Sequence, residues 1–268
     1  MSFRFGMLKD IIEFVSALLY GVFLPLIHKP PRRVVIYYHN LRRQSMEGFE
    51  KQMAYLARKC FAVNASEVIT ALPNGSKVIV GITFDDGFIS FHNNALPILQ
   101  KYRLPAALFV PTGNLGKRPN WDLQEDCSDA DEVIMNKEQV VELDKAGYEI
   151  LSHTVSHPYL TEIDDIKLQD ELERSKQALE QIVGHDIVGI SYPYGAYNDK
   201  VCKAAKRTGY QIGFCVEPYS VDSSPNSFQI GRFKVSPTDS MLKFKLKLIG
   251  AYEIVKYFRR LKRMLFQS

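Results

Sequence analysis

Short apolar runs alternate with amphipathic segments along most of the chain. The apolar runs have the length and composition of buried strands, and they fall at 34–38, 78–84, 106–110, 148–151, 187–192, 212–216 and 228–230. Between them, apolar residues recur at helical spacing at 49–59, 95–102, 137–146, 166–183 and 200–208. About seven such alternations predict a parallel sheet, closed into a barrel or open and doubly wound. A polar stretch without periodicity at 117–136 predicts a long loop.

Polar side chains directly follow several of the predicted strands. They are His39, Asp85, Asp86, His153, Tyr192 and Arg232. In a β/α barrel the catalytic groups gather where the strands end, at the carboxyl face. Separate strands that deliver polar groups to one rim therefore indicate a single site, and they favour a barrel over a doubly wound sheet.

Two of these positions have the residue types of a metal site. Asp85 and Asp86 are adjacent where side chains alternate in direction, so one carboxylate can bind a metal while the other faces a water molecule. His153 and His157 are four residues apart, a common spacing of metal ligands. One carboxylate and two imidazoles leave open positions for water on a divalent ion. Alone, the aspartates fit a capped turn and the histidines a structural pair; together they favour a metal-assisted hydrolase.

Three motifs carry a resemblance to a known family. They are Thr-Phe-Asp-Asp-Gly at 83–87, Ser-His-Thr-Val-Ser-His at 152–157 and Tyr-Pro-Tyr-Gly at 192–195. With the stretches at 94–99 and 105–110, they resemble the polysaccharide deacetylases with a NodB homology domain, carbohydrate esterase family four, over residues 33–236. The resemblance extends to the poly-N-acetylglucosamine deacetylase branch. It implies a distorted (β/α)7 barrel of the TIM type and metal-dependent removal of N-acetyl, or sometimes O-acetyl or N-formyl, groups from sugars.

The family resemblance also implies a role for each motif residue. Asp86, His153 and His157 hold the metal, and Asp85 is the general base. The backbone amide of Tyr194 contributes to the oxyanion hole. Zinc is the first choice for a His-His-Asp ligand set, and cobalt, manganese or nickel suit similar ligands.

The chain departs from the family pattern at two positions. Ser191 stands where the third motif often carries an arginine, and no histidine after His185 supplies the usual Leu-x-His acid. Arg232 is the candidate to pair with Asp85 and keep it ionised. His39, which follows a tyrosine as in the poly-N-acetylglucosamine branch, is the candidate acid for the leaving amine. A surface-facing Arg232 and a structural His39 are the alternatives.

Aromatic residues are expected to bind the sugar. Trp121, the only tryptophan, lies in the predicted polar loop, and its face suits a sugar ring; a packing anchor is the alternative. Tyr192 and Pro193 of the third motif are assigned to the same substrate-binding surface. His28, His92 and His185 are expected at the surface or at helix ends.

The sequence divides into three regions. We expect an apolar or amphipathic helix at 1–31, the deacetylase domain at 32–238 and a basic amphipathic helix at 239–268. The apolar run at 14–27 is shorter than the roughly 20 residues of a spanning helix, and it has no small-residue cleavage site, so we expect no cleaved signal peptide. Cys60, Cys127, Cys202 and Cys215 have no metal or redox spacing and are expected to be free thiols.

Charge is concentrated at the C-terminus. Residues 243–268 hold eight Lys or Arg and one acid, whereas the whole chain has a net charge of +4, so the remainder is acidic. This pattern predicts binding to an anionic membrane surface, with a helix packed on the barrel as the alternative. The apolar face expected to enter the headgroups comprises Phe244, Leu248, Ile249, Tyr252, Val255 and Phe258. The acidic body and the lack of a recognised motif argue against nucleic acid.

These observations predict a metal-dependent deacetylase of N-acetylated amino sugars in a cell-envelope polysaccharide or a lipid-linked glycan. The alternative is an inactive, sugar-binding relative, which the two departures from the family pattern would explain. We expect a monomer attached peripherally to a membrane, at the cytoplasmic face.

Overall fold

A computed structural model describes residues 2–27, 32–72, 75, 77–121 and 132–255. Four predictions lie wholly or partly outside these residues: the surface position of His28, the free thiol of Cys127, the membrane contact of Phe258 and the helix beyond 255. Half of the predicted loop at 117–136 lies outside them as well, and its described ends are irregular apart from a bridge between Ile134 and Phe88.

Strands and helices alternate through the described chain. The strands are β1 (Arg33–Tyr38), β2 (Cys60–Val63), β3 (Val78–Phe84), β4 (Ala107–Val110), β5 (Glu149–Ser152), β6 (Gly189–Ser191), β7 (Ile212–Phe214) and β8 (Phe233–Lys234). The helices are α1 (Ser2–Ile27), α2 (Met46–Lys59), α3 (Leu96–Tyr102), α4 (Lys137–Lys145), α5 (Asp165–Val183), α6 (Asp199–Arg207) and α7 (Met241–Leu248). The strands β2 and β8 are absent from the sequence prediction, and the predicted strand at 228–230 is only a bridge between Ile230 and Phe214.

All strand pairs are parallel, in the order β7-β6-β5-β4-β3-β1-β8, with β2 beside the first half of β3. Ile230 bridges to Phe214 of β7, and Phe233 then pairs with Ile36 of β1. The segment between them brings the two ends of the sheet together. The sheet is therefore curled into a distorted β/α barrel, which confirms the predicted fold and excludes the doubly wound alternative.

Burial on both faces explains why the strands are continuous apolar runs. Val35, Phe109 and Phe214 belong to one buried cluster along the inner face of the sheet. Their neighbours in sequence, such as Ile36 and Leu108, belong to the second cluster with the helices. Successive side chains of a strand point to opposite faces, so a strand covered on both sides needs apolar residues at nearly every position.

Helix α5 shows how local sequence sets the element boundaries. The Asp164 side chain accepts a hydrogen bond from the Lys167 amide at 2.8 Å and caps the first turn. Gly184 ends the helix in the left-handed conformation, with φ of 81°. The helix matches the prediction at 166–183 because both end signals are local.

The two terminal helices pack against each other. A Cβ atom on Gly21 of α1 would lie 3.0 Å from Leu246 of α7 and 3.4 Å from Ala251, so the helices approach closely where α1 lacks a side chain. The predicted helix at 239–268 is interrupted in its described part, because α7 ends at Leu248 and Gly250 has φ of 75°.

Four of the apolar residues predicted to enter a membrane are buried in the protein. Phe244, Leu248, Tyr252 and Val255 are between 0% and 6% exposed, because they pack into the core beside α1. The prediction that these four enter the headgroups is wrong, and the described part of the segment is a barrel-packing element. Among the described residues, no helix combines the length and apolar character needed to cross a bilayer.

Candidate active site

The predicted site residues converge at one end of the barrel. Asp85 and Asp86 follow β3, His153 follows β5, and Tyr194 lies in a short turn after β6. Five described non-glycine residues have positive φ, and four of them lie in the three motifs: Asp86, Thr154, His157 and Tyr194. Such conformations persist only where the surroundings enforce them, and they concentrate at functional sites.

Asp86, His153 and His157 form a buried group. The Oδ1 atom of Asp86 lies 3.4 Å from Nε2 of His153 and 3.3 Å from Nε2 of His157. Among the described residues, this is the one group of three His, Cys, Asp or Glu side chains spaced to hold a metal ion. Ligands ~2.0–2.1 Å from a tetrahedral divalent ion lie roughly 3.4 Å apart, so the two distances fit a small cation.

The protonation state of the group also fits a cation. The Nδ1 atom of His153 donates to the Ser191 carbonyl at 2.8 Å, which leaves Nε2 as the lone-pair nitrogen that faces Asp86. Burial lowers the pKa of His157 to about 3, although Asp86 opposes the shift, so this ring is neutral at ordinary pH. Oδ1 of Asp86 and Nδ1 of His157 are buried with no hydrogen-bond partner. A buried carboxylate oxygen without a partner is costly, and a bound cation would satisfy it.

Asp85, the neighbour of Asp86 in sequence, forms a buried ion pair. Its Oδ1 accepts from Nη1 of Arg232 at 2.6 Å and its Oδ2 from Nη2 at 2.9 Å, a two-pronged contact. Burial opposes ionisation of Asp85, but Arg232 outweighs it and holds the pKa of the carboxyl below its usual range. Asp85 is therefore a carboxylate at ordinary pH.

Arg232 is completely buried, and every N–H group of its guanidinium has an acceptor. Besides Asp85, it donates to the Cys215 carbonyl at 3.1 Å, to Oγ1 of Thr83 at 3.2 Å and to Oγ of Ser191 at 2.7 Å. Ser191 is the position where an arginine was expected. The small serine leaves room for the guanidinium that arrives from the segment before β8.

His39 and Trp121 lie beside the buried group. His39 is half-buried after β1, within electrostatic range of Asp85 and Asp86. The ring of Trp121 stacks on His157, with 4.4 Å between ring centroids and 25° between planes. Tyr194 meets the other side of His157 at 4.6 Å and stacks on Tyr159 at 3.9 Å. Tyr159 was not singled out in the sequence, although its position two residues after His157 is a signal.

The structure places Tyr192 and Pro193 differently from the prediction. The Tyr192 side chain is 1% exposed, and its hydroxyl donates to the Phe228 carbonyl at 3.0 Å. Pro193 is buried as well. Assignment of these two side chains to the substrate surface is wrong, because the end of β6 turns them into the core.

The remaining histidines and thiols lie outside the site. His92 contacts Glu142 at 3.2 Å and His185 contacts Asp144 at 2.7 Å, both near the protein surface. Cys60, Cys202 and Cys215 are buried free thiols, as predicted.

A family model supplies the identification. The polysaccharide deacetylase model matches residues 73–213, more than half of the chain. The chain belongs to the polysaccharide deacetylase family. The match includes Asp85, Asp86, His153 and His157, and it makes the protein a deacetylase of this family with a group that can hold a metal ion.

Two curated relatives extend this result. A Bacillus subtilis protein that carries the name polysaccharide deacetylase YxkH is 29% identical over 218 residues, 78% of this chain and 73% of the relative. The poly-beta-1,6-N-acetyl-D-glucosamine N-deacetylase of Staphylococcus aureus strain MRSA252 is 30% identical over 166 residues, 59% of this chain. The match spans 54% of that staphylococcal enzyme, little more than half its length.

Solved structures show the same fold. The Streptococcus pyogenes deacetylase PplD, in complex with acetate, superposes with a TM-score of 0.69 at 24% identity and covers 82% of this chain and 99% of its own. IcaB from Ammonifex degensii gives a TM-score of 0.66 at 22% identity, over 83% of this chain and 98% of its own.

We expect Arg232→Met to destabilise the protein by about 3–5 kcal/mol at neutral pH, because it leaves the Asp85 carboxylate buried without its partner. Arg232 lowers the pKa of Asp85 in the folded state, so the pair stabilises above the ordinary carboxyl pKa and loses that effect as pH falls. The deficit of the variant should therefore shrink on acidification. Urea unfolding at several pH values measures this difference in the free energy of unfolding. The double variant Arg232→Met/Asp85→Asn should recover part of the lost stability, because it removes the unpaired charge. A deficit that is constant with pH would contradict this account.

Proposed function

We propose that this protein hydrolyses N-acetyl groups of amino sugars in a cell-envelope polysaccharide or a lipid-linked glycan. The observation that carries the proposal is the buried group of Asp86, His153 and His157 beside an Asp85 that is ionised by Arg232. The name of the staphylococcal relative, a poly-beta-1,6-N-acetyl-D-glucosamine N-deacetylase, supports the same class of substrate. The predicted monomer and cytoplasmic face remain predictions.

The first part of the proposal concerns the ligands. Asp86, His153 and His157 would hold a divalent cation, for which zinc is our first choice and cobalt, manganese or nickel are alternatives. Such an ion polarises an acyl carbonyl and lowers the pKa of water at the site. The spacing of the ligand atoms and the unpartnered Oδ1 of Asp86 support this role.

Asp85 is proposed as the general base. Arg232 fixes both carboxylate oxygens and keeps them ionised, so the side chain is ready to accept a proton from the attacking water. Each oxygen retains a second lone pair beyond its bond to the guanidinium. The fixed orientation spares the base any rearrangement when the proton is transferred.

Two groups are proposed to manage the charge that develops on the substrate. The backbone N–H of Tyr194 would donate to the oxyanion, and its left-handed turn beside His157 supports this placement. His39 would protonate the leaving amine, and its half-buried position after β1 gives access to both the site and solvent. The family's usual histidine for this step is missing, so His39 is the available acid.

The aromatic groups at the site are proposed to receive the sugar. Trp121 and Tyr194 flank His157, and Tyr159 is 42% exposed while stacked on Tyr194. Flat apolar faces beside polar groups suit a pyranose ring, which has both kinds of surface. Tyr159 therefore replaces Tyr192 in the proposed substrate surface.

The decisive experiment measures acetate release from N-acetylglucosamine oligomers and from lipid-linked acetamido sugars, with metal-loaded and chelator-treated protein. Release that depends on metal supports the proposal. No release from any of these substrates by metal-loaded, folded protein would favour the alternative of an inactive, sugar-binding relative.

We expect metal binding and chemistry to separate in two variants. His157→Ala should lose metal and activity together, because it removes one of three ligands. Asp85→Asn should keep the metal and lose ~10²–10⁴-fold in kcat, because only the base is gone. Metal content by mass spectrometry and acetate release give the two readouts, with thermal melting to verify folding. Normal turnover of metal-replete Asp85→Asn would contradict the role of Asp85.

We expect His39→Ala to lower kcat on amides by ~10²–10⁴-fold and to spare esters with good leaving groups. An amine needs a proton to depart, whereas an activated alcohol does not. Parallel assays on an N-acetyl sugar and an activated acetate ester test this. Equal losses on the two substrates would indicate a structural or sugar-binding role for His39.

A further inference from the structure

The outward face of α1 is a continuous apolar surface. Seven large apolar side chains on this helix are between 37% and 67% exposed: Ile11, Ile12, Val15, Leu18, Leu19, Val22 and Phe23. They are seven of the eleven exposed large hydrophobic residues in the described chain. Isolated exposed apolar residues are ordinary, but a contiguous patch of this kind marks an interaction surface. We call these seven residues the α1 stripe.

The α1 stripe is held outward because the opposite side of the helix is fixed to the protein. Ala17 is fully buried, and Phe14 packs against the core. Gly21 meets Leu246 and Ala251 at close range. The stripe therefore belongs to a helix that is already docked, and the stripe itself has no cover among the described residues.

Positive charge is concentrated in the C-terminal segment, whose first helix packs on α1. Helix α7, which packs on α1, carries Lys243, Lys245 and Lys247, and Asp239 pairs with two of them. The described chain ends at Val255, which is buried in the same cluster as Ala17. The sequence that follows, 256–268, has five Lys or Arg and no acid. Burial raises the pKa of Tyr252, and Asp239, Glu13 and Asp10 add to the rise, so the two acids of α1 lie within electrostatic range of the C-terminal segment.

We propose that α1 lies flat in the headgroup region of an anionic lipid bilayer, with the α1 stripe inserted. The positive charge of the sequence 256–268 favours an anionic surface over a neutral one. An interfacial helix needs one apolar face, and it does not need to span the membrane. A second copy of the chain is a poorer occupant, because each copy carries the same excess of positive charge in this sequence and like charges oppose association.

The test uses the full-length protein and sedimentation with vesicles of phosphatidylcholine, alone or mixed with phosphatidylglycerol. We expect binding to the anionic vesicles that high salt weakens without abolishing, and much weaker binding to phosphatidylcholine alone. Leu19→Asp/Val22→Asp, which changes two side chains of the stripe, should weaken binding by more than tenfold. Ile166→Asp is the control, because Ile166 is an even more exposed apolar residue but lies on α5, outside the stripe.

Each outcome decides the proposal. Arg259→Gln/Arg260→Gln, which removes two of the five basic residues of 256–268, should weaken binding at low salt and reduce its salt dependence. Wild-type protein that stays in the supernatant with anionic vesicles at low salt would overturn the proposal. So would equal binding by Leu19→Asp/Val22→Asp. If light scattering instead shows a dimer that this variant dissociates, and no vesicle binding, the occupant is a second copy.

A separate observation concerns the loop that carries the histidines. The carboxylate of Glu171, on α5, is 1% exposed. Its Oε2 accepts from the amides of Val155 and Ser156, each at 2.9 Å, and its Oε1 accepts from Oγ of Ser156 at 2.6 Å. A buried carboxylate with three donors from one loop ties that loop to the helix.

The same loop is restrained from its other side and is strained. The amide of Thr112 donates to the Thr154 carbonyl at 3.1 Å, and that of Gly113 to the Val155 carbonyl at 2.8 Å. Thr154 and His157 have φ of 69° and 58°. A β-branched threonine in this region is held there by its surroundings.

We infer that Glu171 is a positioning residue that keeps His153 and His157 in metal-binding geometry, an inference that rests on the metal site proposed above. Glu171→Gln keeps the size of the side chain but removes an acceptor, and it should weaken metal affinity by ~10–100-fold. Glu173→Gln, on the exposed side of the same helix, is the matched control.

Competition with a chelator measures the affinity, and the visible spectrum of the cobalt-loaded protein reports ligand geometry. The spectrum should change in Glu171→Gln and not in Glu173→Gln. If Glu171→Gln binds metal with the same affinity and the same spectrum as the wild type, the proposed role of Glu171 is wrong, but the proposed metal site is unaffected. No metal binding by the wild type would instead remove the proposed function itself.

Discussion

The buried ion pair between Arg232 and Asp85 is the contact on which both the barrel and its site depend. The guanidinium of Arg232 contacts residues in or just after five of the eight strands. Its contacts are the ring of Tyr37 in β1, Thr83 and Asp85 at the end of β3, Phe109 in β4, Ser191 in β6 and Cys215 after β7. Two charges removed from water cost more than their attraction returns unless every polar atom is satisfied. Here each N–H of the guanidinium has an acceptor. The pair therefore holds the short strands of the barrel together, and it also fixes the orientation of the Asp85 carboxylate.

The backbone around the predicted metal ligands is also restrained by the fold. Asp86 and His157 both adopt left-handed backbone conformations, and hydrogen bonds from neighbouring elements hold the loop of His157 in place. Those bonds come from the protein itself, so they restrain the loop that places His157 beside Asp86.

The sequence predicted the parts of this structure that depend on local rules. Strand ends in a parallel barrel share one rim, so residues after separate strands, such as Asp86 and His153, were expected together. Helix α5 was placed by its apolar spacing and its terminal glycine. The short strands β2 and β8 lack a run long enough to show periodicity, and their pairing is set by neighbours far away in the chain.

Contacts between elements that are distant in sequence could not be predicted from periodicity and motif spacing. Glu171 interrupts the apolar face formed by Leu168, Leu172 and Leu179, and a charge in such a row is the signal that could have found it. Periodicity also showed that the C-terminal segment is amphipathic but not that α1 covers part of it. The side chain of Tyr192 follows a strand as the site residues do, yet the turn after β6 sends it inward.

The small side chain of Ser191 has a consequence for how related sequences are compared. Asp85 has two carboxylate oxygens, and one guanidinium occupies both of them. An arginine side chain at 191 would collide with the guanidinium of Arg232, because Oγ of Ser191 lies 2.7 Å from Nη2 of Arg232. A search that requires an arginine at 191 would classify this chain as degenerate, although an arginine from the segment before β8 pairs with its carboxylate.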